Sequence, residues 1–398
     1  MNTKHFFTGL IASSVLVFSF TNFKKENRIS RIDSREISQT NENKPKNQNA
    51  DGENTIQVAI LLDTSGSMDG LIEQAKSRLW NIVNTLTTLK YDGKAPKIEI
   101  ALYEYGNDGI DNRNWIRKVT PLTQDLDLIS EKLFALRTNG GTEYCGAVIK
   151  SATNELDWNG NDKSMKLIYI AGNEEFNQEG VNYKEAISDA KKKNIFVNTI
   201  FCGNREEGIR TFWQDGANLG GGKFFNIDSN QKVIFIETPY DIRISECNVK
   251  LNDTYIGYGS FGYEKKAMQV QQDVNAESVS ASNKIERAVS KTKKSAYNNA
   301  TWDIVDKAEA DKNFVKTVNK KDLPKELQKK STEELEKYVQ QKSAERTQLQ
   351  KEISDLATKR QQYIDSEMKK RSNNETDDLG KAIEKSIHEL AAKNGYSY

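Results

Sequence analysis

The stretch Val58-Ala59-Ile60-Leu61-Leu62 is an unbroken apolar run that stops abruptly at Asp63-Thr64-Ser65-Gly66-Ser67-Met68. A run of strand length without polar alternation reads as a strand buried on both faces, as at the centre of a parallel sheet. Beyond Gly70 the period changes. Leu71, Ile72, Ala75, Leu79, Ile82, Val83 and Leu86 recur at three- and four-residue steps, as along one face of a helix. The loop joining such a strand to its helix lies at the carboxyl end of the sheet, where open α/β sheets place their ligands. Asp63, Ser65 and Ser67 take alternate positions on that loop, so their side-chain oxygens can face one point. Hard oxygen donors of this kind suit Mg²⁺, Mn²⁺ or Ca²⁺.

The same alternation of strand and helix continues downstream. Residues 97–105, 115–120, 165–171, 195–202 and 223–227 read as strands. Between them, 125–136 (capped by Asp125), 144–156, 183–193 and 208–219 carry helical periodicity. The fold class expected is therefore α/β, a doubly wound, mostly parallel, Rossmann-like sheet with helices on both faces.

Several chemistries are excluded by what is missing. The chain has two histidines, His5 and His388, both far from any glycine-rich turn, which leaves no material for a Ser-His-Asp or Cys-His arrangement or for a histidine zinc site. No Gly-Lys-Ser/Thr follows the early glycine, so a Walker loop is absent. A net charge of +1 gives no global electrostatic case for nucleic acid.

Asp63-Thr64-Ser65-Gly66-Ser67 on a strand-to-helix turn resembles the first loop of the metal-ion-dependent adhesion site of von Willebrand factor A domains. Gly140-Gly141-Thr142 is similar to the loop on which that family presents its second-loop threonine, and Asn218-Leu219-Gly220-Gly221 before a strand is a weaker match. The resemblance spans residues 54–236. The family's third loop carries Thr-Asp-Gly, and here those positions read Ile170-Ala171-Gly172, so Ala171 stands where the aspartate is expected and Asn173 or Glu174 is left to reach the ion. The resemblance implies a metal set of Asp63, Ser65, Ser67, Thr142, Asn173 and Glu174 holding Mg²⁺ (or Ca²⁺ or Mn²⁺), in a non-enzymatic protein with an adhesion or scaffolding role. A cation held by one carboxylate and mostly neutral oxygens stays electrophilic, so the partner implied is another protein offering a carboxylate. Three other readings stand beside this one. The loop residues could only cap helices; Ala171 could have disabled the site, leaving an interaction module; or the ion could serve a hydrolase with Glu143 or Glu174 as base.

The flanks read differently from the core. Residues 1–23, apolar and uncharged from Phe6 to Phe23, have the layout of an export signal or a membrane anchor, with cleavage and retention both open. This points to an exported protein, periplasmic or membrane-anchored. Residues 24–53 have almost nothing to bury and read as a disordered tether. Residues 237–330 form a mixed helical extension. It has a helix at 239–252, a glycine-aromatic loop at 255–263, a helix at 264–294 with Ala267, Val270, Val274, Ala281, Ile285 and Ala288 on its apolar side, and an apolar knot at Trp302, Ile304 and Val305. Residues 331–370 open with the capping box Ser331-Thr332-Glu333-Glu334. A heptad seam follows, interrupted by Lys342, Arg346 and Arg360, which reads either as a coiled coil able to self-associate or as a solvated helix. Residues 371–398 make a tail with a short helix at 382–392. Cys145 and Cys202 fall at the same edge of the expected sheet, as a disulfide if the protein is exported or as two buried thiols.

Overall fold

A computed structural model describes residues 54–110, 114–230, 233–370 and 379–398. The expected export segment, the tether and the break at 371–378 lie outside the described residues. Among those described, no helix is long and apolar enough to cross a membrane.

The chain runs β1 (Thr55–Asp63), α1 (Asp69–Leu86), β2 (Lys90–Tyr91), β3 (Lys97–Tyr105), β4 (Ile116–Thr123), α2 (Leu126–Ala135), α3 (Cys145–Glu155), β5 (Met165–Gly172), α4 (Tyr183–Lys192), β6 (Ile195–Cys202), α5 (Arg205–Arg210), α6 (Trp213–Leu219) and β7 (Gly221–Ile227). It continues through α7 (Asp241–Asn252), α8 (Gly262–Val279), α9 (Ala281–Ser290), α10 (Ile304–Ala310), α11 (Phe314–Thr317), α12 (Thr332–Lys370), α13 (Leu379–Lys393) and β8 (Tyr396–Ser397). The main sheet has the order β4-β3-β1-β5-β6-β7, parallel except for β4. All of β1 is buried, as the unbroken apolar run requires. Ile56, Val58, Ile60 and Leu62 face one core with α1, α2 and α13, while Ala59 and Leu61 face the other with α3, α4 and Trp213. Because β1 is followed by β3 on one side and β5 on the other, the chain switches direction across it, and the crevice opens at its carboxyl end.

Four expectations change. The helix at 208–219 is two, α5 and α6, because Phe212 takes a left-handed φ of 70° between them. The helix at 264–294 is also two, broken at the extended residue Ser280, whose hydroxyl caps α9 by accepting from the Asn283 N–H. The expected apolar side of that stretch divides: Ile285 and Ala288 are buried, while Val270 and Val274 face outward and α8 buries Gln269, Gln272, Asp273 and Ala276 instead. The reason is electrostatic: the interior here is a charged network, not a hydrocarbon layer. Finally, among the described residues the seam of α12 packs across α7, α9, α10 and α11 rather than along one long helix, as an intramolecular brace.

The two arginine interruptions of that seam are its anchors. Arg346, fully buried, donates to Asp303 (2.7 Å), Asp306 (2.6 Å) and the Thr254 carbonyl (2.6 Å), with its guanidinium 3.8 Å from the Tyr255 ring centroid. Arg360 pairs with Asp241 at 3.0 Å. A second network ties α2 to the extension. Arg287 of α9 meets Asp127 (2.7 Å) and Asp273 (2.6 Å), Lys291 also reaches Asp273 (3.0 Å), and Tyr297 donates to Asp127 (2.7 Å). Helix α1 is thereby covered on its outer side, where Asn283 donates to the Ser77 carbonyl and Asn84 to that of Glu286. The chain then returns to the sheet. Helix α13 buries Ile383, Ile387 and Leu390 against α1 and β7, Ser386 links Tyr169 to Asn198, and β8 pairs with β2.

Removing one member of a buried charge pair strands the other. Arg287→Ala is expected to lower stability by about 3–5 kcal/mol in urea unfolding; a loss under about 1 kcal/mol, the range of an exposed pair, would contradict the network. Burial alone would raise the Asp273 carboxyl, but Lys291 and Arg287 outweigh it and hold the group well below the usual carboxylate range. The unfolded chain therefore takes up this proton first as pH falls, so the stabilisation is complete above about pH 4 and is lost below it. Thermal unfolding between about pH 4 and pH 2 should show a steeper fall for the wild type than for Asp273→Asn.

Candidate metal centre

Three loops meet at the carboxyl end of β1, β3 and β5. The first is the turn after Asp63. Asp63 is fully buried, because it continues a strand covered on both faces. Its Oδ1 accepts from the Ser65 N–H at 2.8 Å, and its Oδ2 has no hydrogen-bond partner among the described residues. The Ser65 and Ser67 hydroxyls lie 3.4 Å apart, and Asn173 Nδ2 donates to Ser67 Oγ at 3.1 Å. The other amide atom, Asn173 Oδ1, is buried and likewise unpartnered. Asp63, Ser65, Ser67 and Asn173 are thus brought together, with two buried acceptor atoms left open. Burial pushes the Asp63 carboxyl up to about 7, against the Ser65 hydrogen bonds and with the negative charges of Glu143 and Glu174 adding to the rise.

The second loop carries Thr142, half-buried between Gly141 and Glu143. This loop is held to the first through the backbone. The Asn139 N–H donates to the Thr64 carbonyl (3.0 Å), and Asn107 Nδ2 reaches both the Thr64 carbonyl (3.3 Å) and that of Arg137 (2.8 Å). A side chain on Gly141 would meet the Gly106 carbonyl at 2.2 Å, so the glycine permits the approach. Glu143 is buried beside Ser65, and its carboxyl is raised first by burial and then by Glu174. Glu174 is exposed; its backbone carbonyl accepts from the Trp213 indole at 2.7 Å, fixing the third loop. Ala171 is still inside β5, with its carbonyl bonded by the Tyr105 hydroxyl at 3.0 Å.

Sequence reasoning missed the support beneath these loops. Glu104, fully buried at the end of β3, accepts from Thr64 Oγ1 at 3.3 Å and is ion-paired with Arg117. Burial raises its carboxyl, opposed by Arg117 and Thr64. The signal was present: an acid one residue before the end of the strand, directly after the apolar run Ile100–Tyr103. The glycines at 106 and 172 were missed as well. A Cβ on either would stand 3.0 Å from an Asp63 carboxylate oxygen.

Of the two cysteine readings, the structure has the buried thiols. Cys145, Cys202 and Cys247 are free, buried thiols, and Cys145 Sγ sits 3.9 Å from the Tyr105 hydroxyl. Among the described residues no group of three or more His, Cys, Asp or Glu side chains has metal-ligating geometry. A cation at this rim would therefore rest on Asp63 and neutral oxygens. The open Asp63 Oδ2 and Asn173 Oδ1, the paired serine hydroxyls and the glycine cradle fit such an ion.

Residues 57–233 match the model of the von Willebrand factor type A domain, and the six-stranded sheet has that fold. Similar solved structures include an aerotolerance-related membrane protein from Bacteroides fragilis (21% identity, TM-score 0.30), which covers 44% of this chain and 93% of that one. The SpRpn10 VWA domain is 20% identical with a TM-score of 0.32, covering 43% and 87%. Proximal thread matrix protein 1 from the mussel byssus, with a zinc-occupied MIDAS motif, is 14% identical with a TM-score of 0.33, covering 44% and 42%. No curated protein matches the chain.

The cradle is tight enough to test by substitution. A methyl at position 172 would lie 2.5 Å from the Tyr105 hydroxyl and 3.2 Å from Asp63 Cβ, both immobilised by burial. Gly172→Ala is expected to cost about 1–3 kcal/mol in urea unfolding, the range of an overpacked core. Stability within about 0.5 kcal/mol of wild type, as for an unconstrained surface site, would contradict this packing.

Proposed function

We propose that the von Willebrand factor type A domain of this chain captures another protein through a divalent cation, without catalysis, as an adhesion or scaffolding component of the bacterial-envelope type. Asp63, Ser65, Ser67 and Thr142 would hold the ion, Mg²⁺ or else Ca²⁺ or Mn²⁺, with Asn173 and Glu174 from the third loop at its edge. The observation that carries the reading is the Asp63 carboxylate. A fully buried oxygen with no partner is costly, and the same rim carries the paired Ser65 and Ser67 hydroxyls and the open Asn173 Oδ1. When bound, the ion would supply an electrophilic coordination position for a carboxylate on the partner. The chain's own part is to exclude water behind Asp63, to space the two serines, and to hold the second loop against the first through Thr64 and Asn139. Export through the residues at 1–23 agrees with such a role.

A second reading is supported by Asn173. Its amide N–H donates to Ser67 Oγ, tying the third loop to the first, and Ala171 supplies no carboxylate, so the three loops could close as a metal-free docking surface. Two measurements separate the readings. Calorimetric titration with Mg²⁺, Ca²⁺ and Mn²⁺ should show binding by the wild type. Asp63→Ala should weaken it by at least about 100-fold, the upper end of the loss seen for an outer-shell partner. No binding of any of the three ions sinks the first reading. Partner capture from envelope extract that survives EDTA supports the second.

A further inference from the structure

We propose that the extension carries a docking surface for an anionic phospholipid bilayer, built from the lysine-rich segment 312–330 and the two exposed aromatic rings of Phe261 and Tyr263. The whole chain is nearly neutral at +1, yet residues 312–330 hold seven lysines against two acids, a local charge of +5. Leu323 and Leu327 turn inward to join Val315, Leu335 and Val339 in one apolar cluster. The lysines between them are thereby displayed on an ordered platform. Lys312, Lys321, Lys325 and Lys329 are exposed and have no carboxylate partner among the described residues, and Lys320 donates only to the Lys330 carbonyl. Lys316 has a distant partner in Glu336 at 3.8 Å.

The aromatic loop adjoins this platform directly. The Gly259 N–H donates to the Asp322 carbonyl at 2.8 Å, and the rings of Tyr258 and Phe314 lie 5.0 Å apart. Within the loop the rings divide into two kinds. Tyr255 is buried over Arg346, and Tyr258 is held by the Ala300 carbonyl. Phe261 is 66% exposed and Tyr263 87%, with nothing folded over them. Rings presented to solvent beside unpaired lysines match the lipid interface, where aromatic side chains enter at headgroup depth and clustered lysines meet anionic lipid. Nucleic acid is less well served, because the rings spaced for stacking, Tyr255 and Tyr258, are committed to the interior. This inference stands apart from the metal reading and shares no residue with it.

The test uses the full chain and vesicles of phosphatidylcholine with or without phosphatidylglycerol, compared by co-sedimentation. The wild type should prefer the anionic vesicles, and the preference should vanish at high salt. Each lysine near the surface is worth about fivefold, so Lys321→Ala, Lys325→Ala and Lys329→Ala together should weaken anionic-vesicle binding about 100-fold. Phosphatidylcholine binding and the melting temperature should stay unchanged. Phe261→Ser with Tyr263→Ser should remove a further, salt-insensitive part. Any contribution from residues 6–23 is the same in every variant and cancels. Equal binding of wild type and the lysine variant to anionic vesicles would overturn the proposal. So would a wild type indifferent to phosphatidylglycerol whose lysines instead govern binding to a single-stranded oligonucleotide.

Discussion

The fold turns on a strand that has no wet side. Both faces of β1 are packed by helices, so the residue that ends it is buried whether or not its chemistry suits burial. That residue is Asp63. A carboxylate in such a place must find compensation, and the protein supplies it unevenly. One oxygen receives the Ser65 N–H; the other has no partner among the described residues, and the negative charges of Glu143 and Glu174 raise the affinity of the carboxyl for positive charge. The loops around it are arranged by the same strand ends. Gly106 follows β3 and Gly172 closes β5, and each yields the space a Cβ would take from Asp63.

The region after β7 is a third layer on the domain, held by buried charge. Arg287 and Arg346 each satisfy two carboxylates inside the protein, and Arg360 a third anchor. Buried ion pairs add little net stability over an apolar core, but they are demanding in geometry and fix how elements meet. Here they set α8 and α9 against α2, and α12 against α7 and α10. The chain then comes back to complete the sheet's own face with α13, whose Ser386 joins the hydrogen bonds of Tyr169 and Asn198. The sheet and its covering helices are thus stitched from both ends of the sequence.

The parallel sheet and its cores were legible because burial on two faces leaves continuous apolar runs, as at 58–62 and 167–171. The turn at 63–67 stood out because three oxygens at alternate positions are hard to explain by capping alone, and the structure buries Asp63 and sets the Ser65 and Ser67 hydroxyls together there. The extension was not. Its interior is lined by Gln269, Asp273, Arg287 and Arg346, which read as solvent-facing in a sequence, while Val270 and Val274 point outward. Periodicity reports where apolar residues recur, and it fails where charge pairs fill the core. The breaks at Phe212 and Ser280 were hidden for another reason. Neither is glycine or proline, so no local breaker marks the left-handed Phe212 or the extended Ser280. The support of the metal loop by Glu104 needed a partner from β4, Arg117, that no local spacing indicates.

The claim on which the functional account rests is a cation seated against Asp63 Oδ2. Anomalous diffraction from crystals grown with Mn²⁺ measures this directly. The account predicts a peak at roughly 2.0–2.3 Å from that oxygen and from the Ser65 and Ser67 hydroxyls, the reach of a hard divalent ion on oxygen ligands. A map with no anomalous signal there, and with Asp63 Oδ2 bonded to water alone, would contradict it.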